Sequence, residues 1–183
     1  MSPQSPLECV ITFMEMYSPP AQPAPPPPAM RLAVMRADRC AVAFYRFLYN
    51  TVGERWQWID RRTLRDRDLA AIVQDPLVDI LVLYAGGVPA GFGEIDRRSG
   101  ADIQIAYFGL MPEFIGRGLG RFLLHWTINA AWQHQPQRLW LHTCNFDHPR
   151  ALALYQRAGF APYRQETRLL EPPVAATGPI ALQ

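Results

Sequence analysis

The stretch FGLMPEFIGRGLGRFLL, residues 108–124, changes its hydrophobic period part-way along, and that change sets the fold class. Up to Met111 the chain reads as extended, with a strand predicted over Ile103 to Met111. From Gly118 onward Leu119, Phe122, Leu123, Trp126 and Ala130 recur at helical spacing. Gly116, Gly118 and Gly120 alternate at the junction, where side-chain-free backbone amides and the partial positive charge of a helix N-terminus can meet an anion. The segment from Ile115 to Arg121 is therefore a candidate diphosphate cradle, although tight turns also call for glycine.

Two known phosphate loops fail on spacing. A dinucleotide fingerprint places its glycines after the first strand of a parallel unit, whereas antiparallel hairpins precede this one. The nucleotide-hydrolase loop needs a lysine followed by Ser or Thr, and Arg121-Phe122 follows Gly120 here.

Working outward, Ile80 to Tyr84 and Ala90 to Ile95 flank the turn signal Gly86-Gly87 and predict an antiparallel hairpin. Upstream, Cys9 to Met16 reads as a strand, and a helix starts near the N-cap candidate Asp38 and runs to Asn50–Gly53. A second helix is predicted from Leu64 to Val73, before Asp75-Pro76. Downstream, Leu139 to Cys144 is a strand, Asn145 to Pro149 opens a helix that Gly159 stops, and Phe160 to Leu170 is a last strand. Residues 19–28, PPAQPAPPPP, lack the amide donors for a ladder and predict an exposed polyproline-like loop inside the domain. The Pro- and Gly-containing residues 171–183 read as a frayed tail. The expectation is one α/β (α+β) domain over residues 1–170, built on a mixed, mostly antiparallel central sheet flanked by helices.

A chain of 183 residues with 49% apolar residues can bury one sizeable core. Its net charge of +2 is scattered, so no nucleic-acid footprint is expected. The densest basic cluster, Arg61, Arg62, Arg65 and Arg67, is interrupted by aspartates and reads as a solvated helix face. Cys9, Cys40 and Cys144 are odd in number and widely spaced, which favours free thiols and a cytoplasmic location. No apolar run suits a signal peptide or a membrane span. His142, Cys144 and His148 lack a structural-zinc spacing, so no metal is expected.

The glycine loop, followed after one strand by NFDHPRALALYQRAGF (residues 145–160), resembles the GNAT superfamily of N-acetyltransferases. That family's phosphate loop falls on Ile115, Gly116, Arg117, Gly118, Leu119 and Gly120, with hydrophobic Ile115 where a polar residue is usual. Its second motif falls on Asn145, Tyr155, Gly159 and Phe160. The family usually ends in two strands, and this sequence offers one convincing candidate.

The resemblance implies a sheet splayed at an acyl-coenzyme A site, with acetyl-CoA as the common donor. Backbone groups near Leu110 and Met111 would hold the pantetheine arm and thioester, and residues from Gly116 to Arg121, with Asn145, would complete the cofactor site. Tyr155 matches the family's general acid, although its apolar neighbours equally suit a core tyrosine. Glu94 is the candidate general base. Asp96 and Glu113 are the other carboxylates near by in sequence, and a surface role for each stands beside the catalytic one. Trp56, Trp58, Tyr45 and Tyr49 are candidates for an acceptor pocket or for ordinary core. The acceptor is expected to be an amine, with a small molecule favoured over a peptide or protein amine, and a noncatalytic acyl-CoA sensor is the competing class. An aromatic face on the first helix is compatible with a homodimer.

Overall fold

The computed structural model describes residues 7–21 and 23–170, so the predicted tail over 171–183 lies outside the described residues. Seven strands form one sheet in the order β2-β3-β4-β5-β6-β1-β7. They are β1 (Leu7–Met16), β2 (Leu32–Arg36), β3 (Val78–Ala85), β4 (Val88–Asp96), β5 (Asp102–Leu110), β6 (Arg138–Cys144) and β7 (Ala161–Leu170). Every neighbouring pair is antiparallel except β5 with β6. The helices are α1 (Val42–Gly53), α2 (Asp66–Val73), α3 (Leu119–Trp132) and α4 (Ala151–Arg157).

The centre of the sheet is buried on both sides, as the unbroken apolar run of β3 requires. Val78, Ile80 and Val82 face a cluster with Tyr45, Leu48, Tyr49 and Leu69 from α1 and α2. Leu81 and Leu83 point the other way, towards α3 residues such as Leu123, Leu124 and Ile128. Gly86 and Gly87 turn the β3–β4 hairpin at φ +62° and +92°, the left-handed region that glycine enters without steric cost.

Two predicted boundaries shift. Helix α1 starts after Ala41, three residues beyond Asp38, whose exposed carboxylate lies 3.5 Å from Arg36. Strand β2 was not expected from the sequence; it is short and half exposed, and its pattern is too weak to announce it.

Among the described residues, an early strand of the chain fills the place that a second late strand would take. Strand β1 lies between β6 and β7, pairing Ile11 with Cys144 and Met16 with Leu139 on one side, and Leu7 with Leu170 on the other. The strand is apolar on both faces, as an interior strand must be: Phe13 packs on Trp140 and His142, while Met14 and Met16 join the core beneath α4. Since β1 runs down the sheet and β2 starts at its top, the connection between them returns to the top, where its end lies near the start of α3. Met16 Sδ meets Trp132 at the helix's end, and Pro28 lies 3.8 Å from where a Cβ on Gly118 would sit at its start.

Among the described residues, no helix is long and apolar enough to cross a membrane.

Candidate active site

Parallel pairing of β5 with β6 runs only from Asp102–Arg138 to Gln104–Trp140. Beyond that the strands diverge, and a cavity of about 850 Å³ passes through the gap. One arm reaches the glycine loop and α4; the other opens between Trp56, Trp58 and Tyr107 on the α1 side. This volume lies within the range that holds small ligands and cofactors.

The loop arm is built from main-chain donors. Gly116 and Gly118 adopt φ +85° and +79°, and Gly118 caps α3. Among the described residues, the N–H groups from Gly116 to Arg121 reach no internal acceptor; the first helical bond of this turn is made by Phe122 to the Gly118 carbonyl. A Cβ at Gly116 would meet nothing within 4 Å, so the space above the backbone is open to an anion. Gly116, Gly118, Gly120 and Arg121 line the cavity, joined by Arg150 at the N-cap of α4 and Arg157 at its last turn, which the sequence reading did not single out. Leu119 is fully buried and offers only its amide. Arg117 turns outward over the Phe114 ring, 5.5 Å from its centroid. Ile115 lines the cavity as a hydrophobic residue.

Further along the gap, the unpaired edge of β5 presents polar main chain. Met111 donates its N–H to the Ala90 carbonyl at 2.9 Å, towards β4. Donors alternate along a strand, so Leu110 and Phe108 direct theirs into the opening. Leu110 lies on this edge and lines the cavity, whereas the expectation for Met111 is corrected: its amide is taken and its side chain is buried in the α1 core.

Tyr155 also lines the cavity, on the α3 and α4 side of the sheet. Its ring is wedged edge-on against Phe108 and Phe160, with centroids 6.2 and 6.3 Å away, so both readings of this tyrosine apply to its body. The hydroxyl has no hydrogen-bond partner among the described residues. Burial, and then the negative charge of Asp147, push its pKa up, which keeps it protonated across neutral pH.

Two other expected site residues are otherwise engaged. The Asn145 amide oxygen accepts from Val10 N–H at 2.8 Å, and its NH₂ donates to the Glu8 carbonyl at 2.9 Å. It clips β1 to the end of β6 and does not border the cavity, so its placement in a cofactor site is corrected. Glu94 is fully buried: Arg61 holds one carboxylate oxygen at 2.8 Å and the Tyr45 hydroxyl donates to the other. With both oxygens occupied and no face on the cavity, it is poorly placed as a base, and burial raises its pKa. Arg61 is thereby removed from the solvated cluster predicted for it, and Asp96 is paired with Arg98 at 2.6 Å.

The α1-side arm is aromatic. Trp58 sits against Tyr49 and Tyr107, with centroids 5.3 and 5.1 Å away, and its indole N–H reaches Asp147 Oδ1 at 3.4 Å. Gln57, between the two tryptophans, takes φ +56°, which reverses the chain and lets both rings face the opening. Asp60 Oδ2 accepts from the Tyr107 hydroxyl at 3.3 Å. Of the four aromatic candidates, Trp56, Trp58 and Tyr49 border this arm, and Tyr45 is core. Tyr107, Asp60, Asp147 and His142 were not proposed from sequence as lining; only the alternation along β5 and β6 hinted at Tyr107 and His142.

Residues 41–160 match the sequence signature of the acetyltransferase (GNAT) family. The chain belongs to the GNAT acetyltransferase family. Solved GNAT folds superpose at low identity. A GCN5-related N-acetyltransferase from Kribbella flavida aligns at TM-score 0.61 and 16% identity over 92% of this chain and 58% of its own. A second, from Sphaerobacter thermophilus, gives 0.58 and 16% over 93% and 54%. The IAA acetyltransferase from Bacillus cereus ATCC 14579 gives 0.57 and 21% over 73% and 79%. This chain thus spans little more than half the length of the Kribbella and Sphaerobacter GNAT proteins. No functionally curated protein matches it.

Proposed function

We propose that this GNAT protein is an N-acetyltransferase that passes an acetyl group from acetyl-CoA directly to a primary amine, with a small-molecule amine as acceptor. The observation that carries the reading is the two-armed cavity. Free amides and arginines at one end suit a diphosphate, an unpaired strand edge suits the amide-rich pantetheine arm, and an aromatic recess at the other end suits a compact acceptor.

In this reading the N–H groups from Gly116 to Arg121 bind the diphosphate, and Arg121, Arg150 and Arg157 add charge beside it. The N–H of Phe108 or Leu110 stabilises the oxyanion that develops as the amine attacks the thioester, an effect commonly worth ~10²–10³ in rate. Tyr155 gives its proton to the departing thiolate. Both substrates are held together, so no covalent enzyme intermediate is needed.

Thiol release from acetyl-CoA across a panel of polyamines, amino acids, aminoglycosides and peptides tests this function. Release with a small amine supports it, whereas cofactor binding without release for every amine identifies a sensor domain. Tyr155→Phe should keep acetyl-CoA affinity and lower turnover by about 10²-fold; equal turnover in the variant removes Tyr155 from the chemistry.

A further inference from the structure

We propose that His142 is the general base of the acetyl transfer, taking the proton from the acceptor ammonium on the α1 side of the sheet. The inference rests on the acetyltransferase reading and adds to it the proton acceptor that Glu94 is not placed to be.

His142 lies two residues beyond Trp140, the last position of β6 to pair with β5, so it stands at the edge of the gap where the strands first part. Residues alternate along β6: Leu141 faces the α3 and α4 core that holds Tyr155, and His142 faces the opposite side, lining the same cavity as Tyr107 and Trp58. An acid and a base therefore flank one opening from opposite faces of the sheet. That suits an addition–elimination in which the amine adds to one face of the thioester carbonyl and the tetrahedral adduct then expels sulfur, so that the proton acceptor and the proton donor serve two different substituents of one carbon.

Phe13 and Trp140 support the imidazole, with centroids 5.7 and 6.4 Å away, and fix its plane. Its nitrogens have no hydrogen-bond partner among the described residues, so a lone pair is available to the cavity. The charged groups around it are Asp147 on the β6–α4 connection, Asp60 after α1 and Arg168 on β7. Although His142 is exposed on the cavity wall, the protein around the ring desolvates it and, with Arg168, lowers its pKa against the pull of the two aspartates, which favours the neutral ring. Cys144 and Cys9 are the other titratable groups near by; burial, then Asp147, raises the Cys144 thiol to about 12, so it does not compete for the proton.

The step balances. A substrate N–H bond breaks and its proton goes to an imidazole nitrogen. The freed lone pair forms the C–N bond to the thioester carbon, the adduct's nitrogen gives its second N–H proton to solvent, and the C–S bond breaks as the thiolate takes the Tyr155 proton, leaving a neutral amide. The imidazolium then releases its proton to solvent, and the tyrosinate regains one from there.

The test uses the full chain with a working amine, comparing wild type, His142→Gln and His142→Ala. Expected are turnover lowered by about 10²-fold, acetyl-CoA affinity changed less than about twofold, and loss of the ascending limb of kcat/KM against pH below about pH 7. Added imidazole should restore part of the turnover of His142→Ala, a rescue that a packing defect would not show. Variants that turn over within about threefold of wild type, with the same pH profile, overturn the assignment alone. Wild-type protein that binds acetyl-CoA but acetylates no amine defeats the transferase reading, and this assignment with it.

Discussion

Replacing Asn145 by alanine separates two accounts of one residue. If the side chain held cofactor, its loss would weaken acetyl-CoA binding. The structure instead gives it two bonds to β1, at 2.8 Å from Val10 N–H and 2.9 Å to the Glu8 carbonyl. A net hydrogen bond is worth about 1 kcal/mol, and these two are solvent-accessible, so the pair together should contribute about 1.5 kcal/mol. For a chain of this size that corresponds to a melting temperature lower by about 3–6 °C. Asn145→Asp keeps the acceptor for Val10 but loses the donor to Glu8, and should fall part-way between. Calorimetric melting supplies the first number, and titration with acetyl-CoA should give an affinity within about twofold of wild type. An unchanged melting temperature together with a tenfold loss of affinity would refute the reasoning and return Asn145 to the cofactor site.

Glu94→Ala should destabilise the protein by about 3–5 kcal/mol, because the buried guanidinium of Arg61 loses its partner; urea unfolding measures this, and a stable but inactive variant would restore Glu94 as a base. Gly93→Ala would bring a Cβ within 2.6 Å of Thr127 Oγ1 on α3, at a cost of about 1–3 kcal/mol, and Thr127→Ala in the same chain should recover most of it; a purely additive double variant contradicts the contact. Stability should also fall on acidification. The folded protein lowers the pKa of buried His125 and of His142 on the cavity wall, so below about pH 6.5 the unfolded chain binds protons that the folded one refuses. The contribution is full above that pH and is lost as pH drops through the folded values. The urea midpoint should therefore be lower at pH 5.5 than at pH 7.5, and the difference should shrink in His125→Gln/His142→Gln.

The parts legible in the sequence were those whose cause is local. Alternating glycines at a change of hydrophobic period fix a turn and a helix start, and Gly118 at φ +79° is the conformation that spacing asked for. Hairpins announce themselves through their turns, as Gly86-Gly87 did. The location of β1 has no local cause: its partners lie at the far end of the chain, and the only hint was that LECVITFMEM is apolar on both faces, which suits an interior strand and not an edge. Asn145 was misread for the same reason, since its partners Val10 and Glu8 belong to that distant strand. Met111 and Glu94 failed differently. Which amides on β5 are free depends on register, and whether a carboxylate is exposed depends on what covers it, here Arg61 and Tyr45 from separate segments.

The early strand has a consequence for biosynthesis. Val10 and Asn145, which it joins, are 135 residues apart in the chain, so β1 leaves the ribosome on the order of 10 s before its first neighbour at ordinary elongation rates. Through that interval an apolar ten-residue segment is without a mate on either flank, the kind of surface that chaperones hold and that other nascent chains can capture. The prolines that follow it cannot extend such pairing, so the rigid tract also limits how far a wrong association can spread.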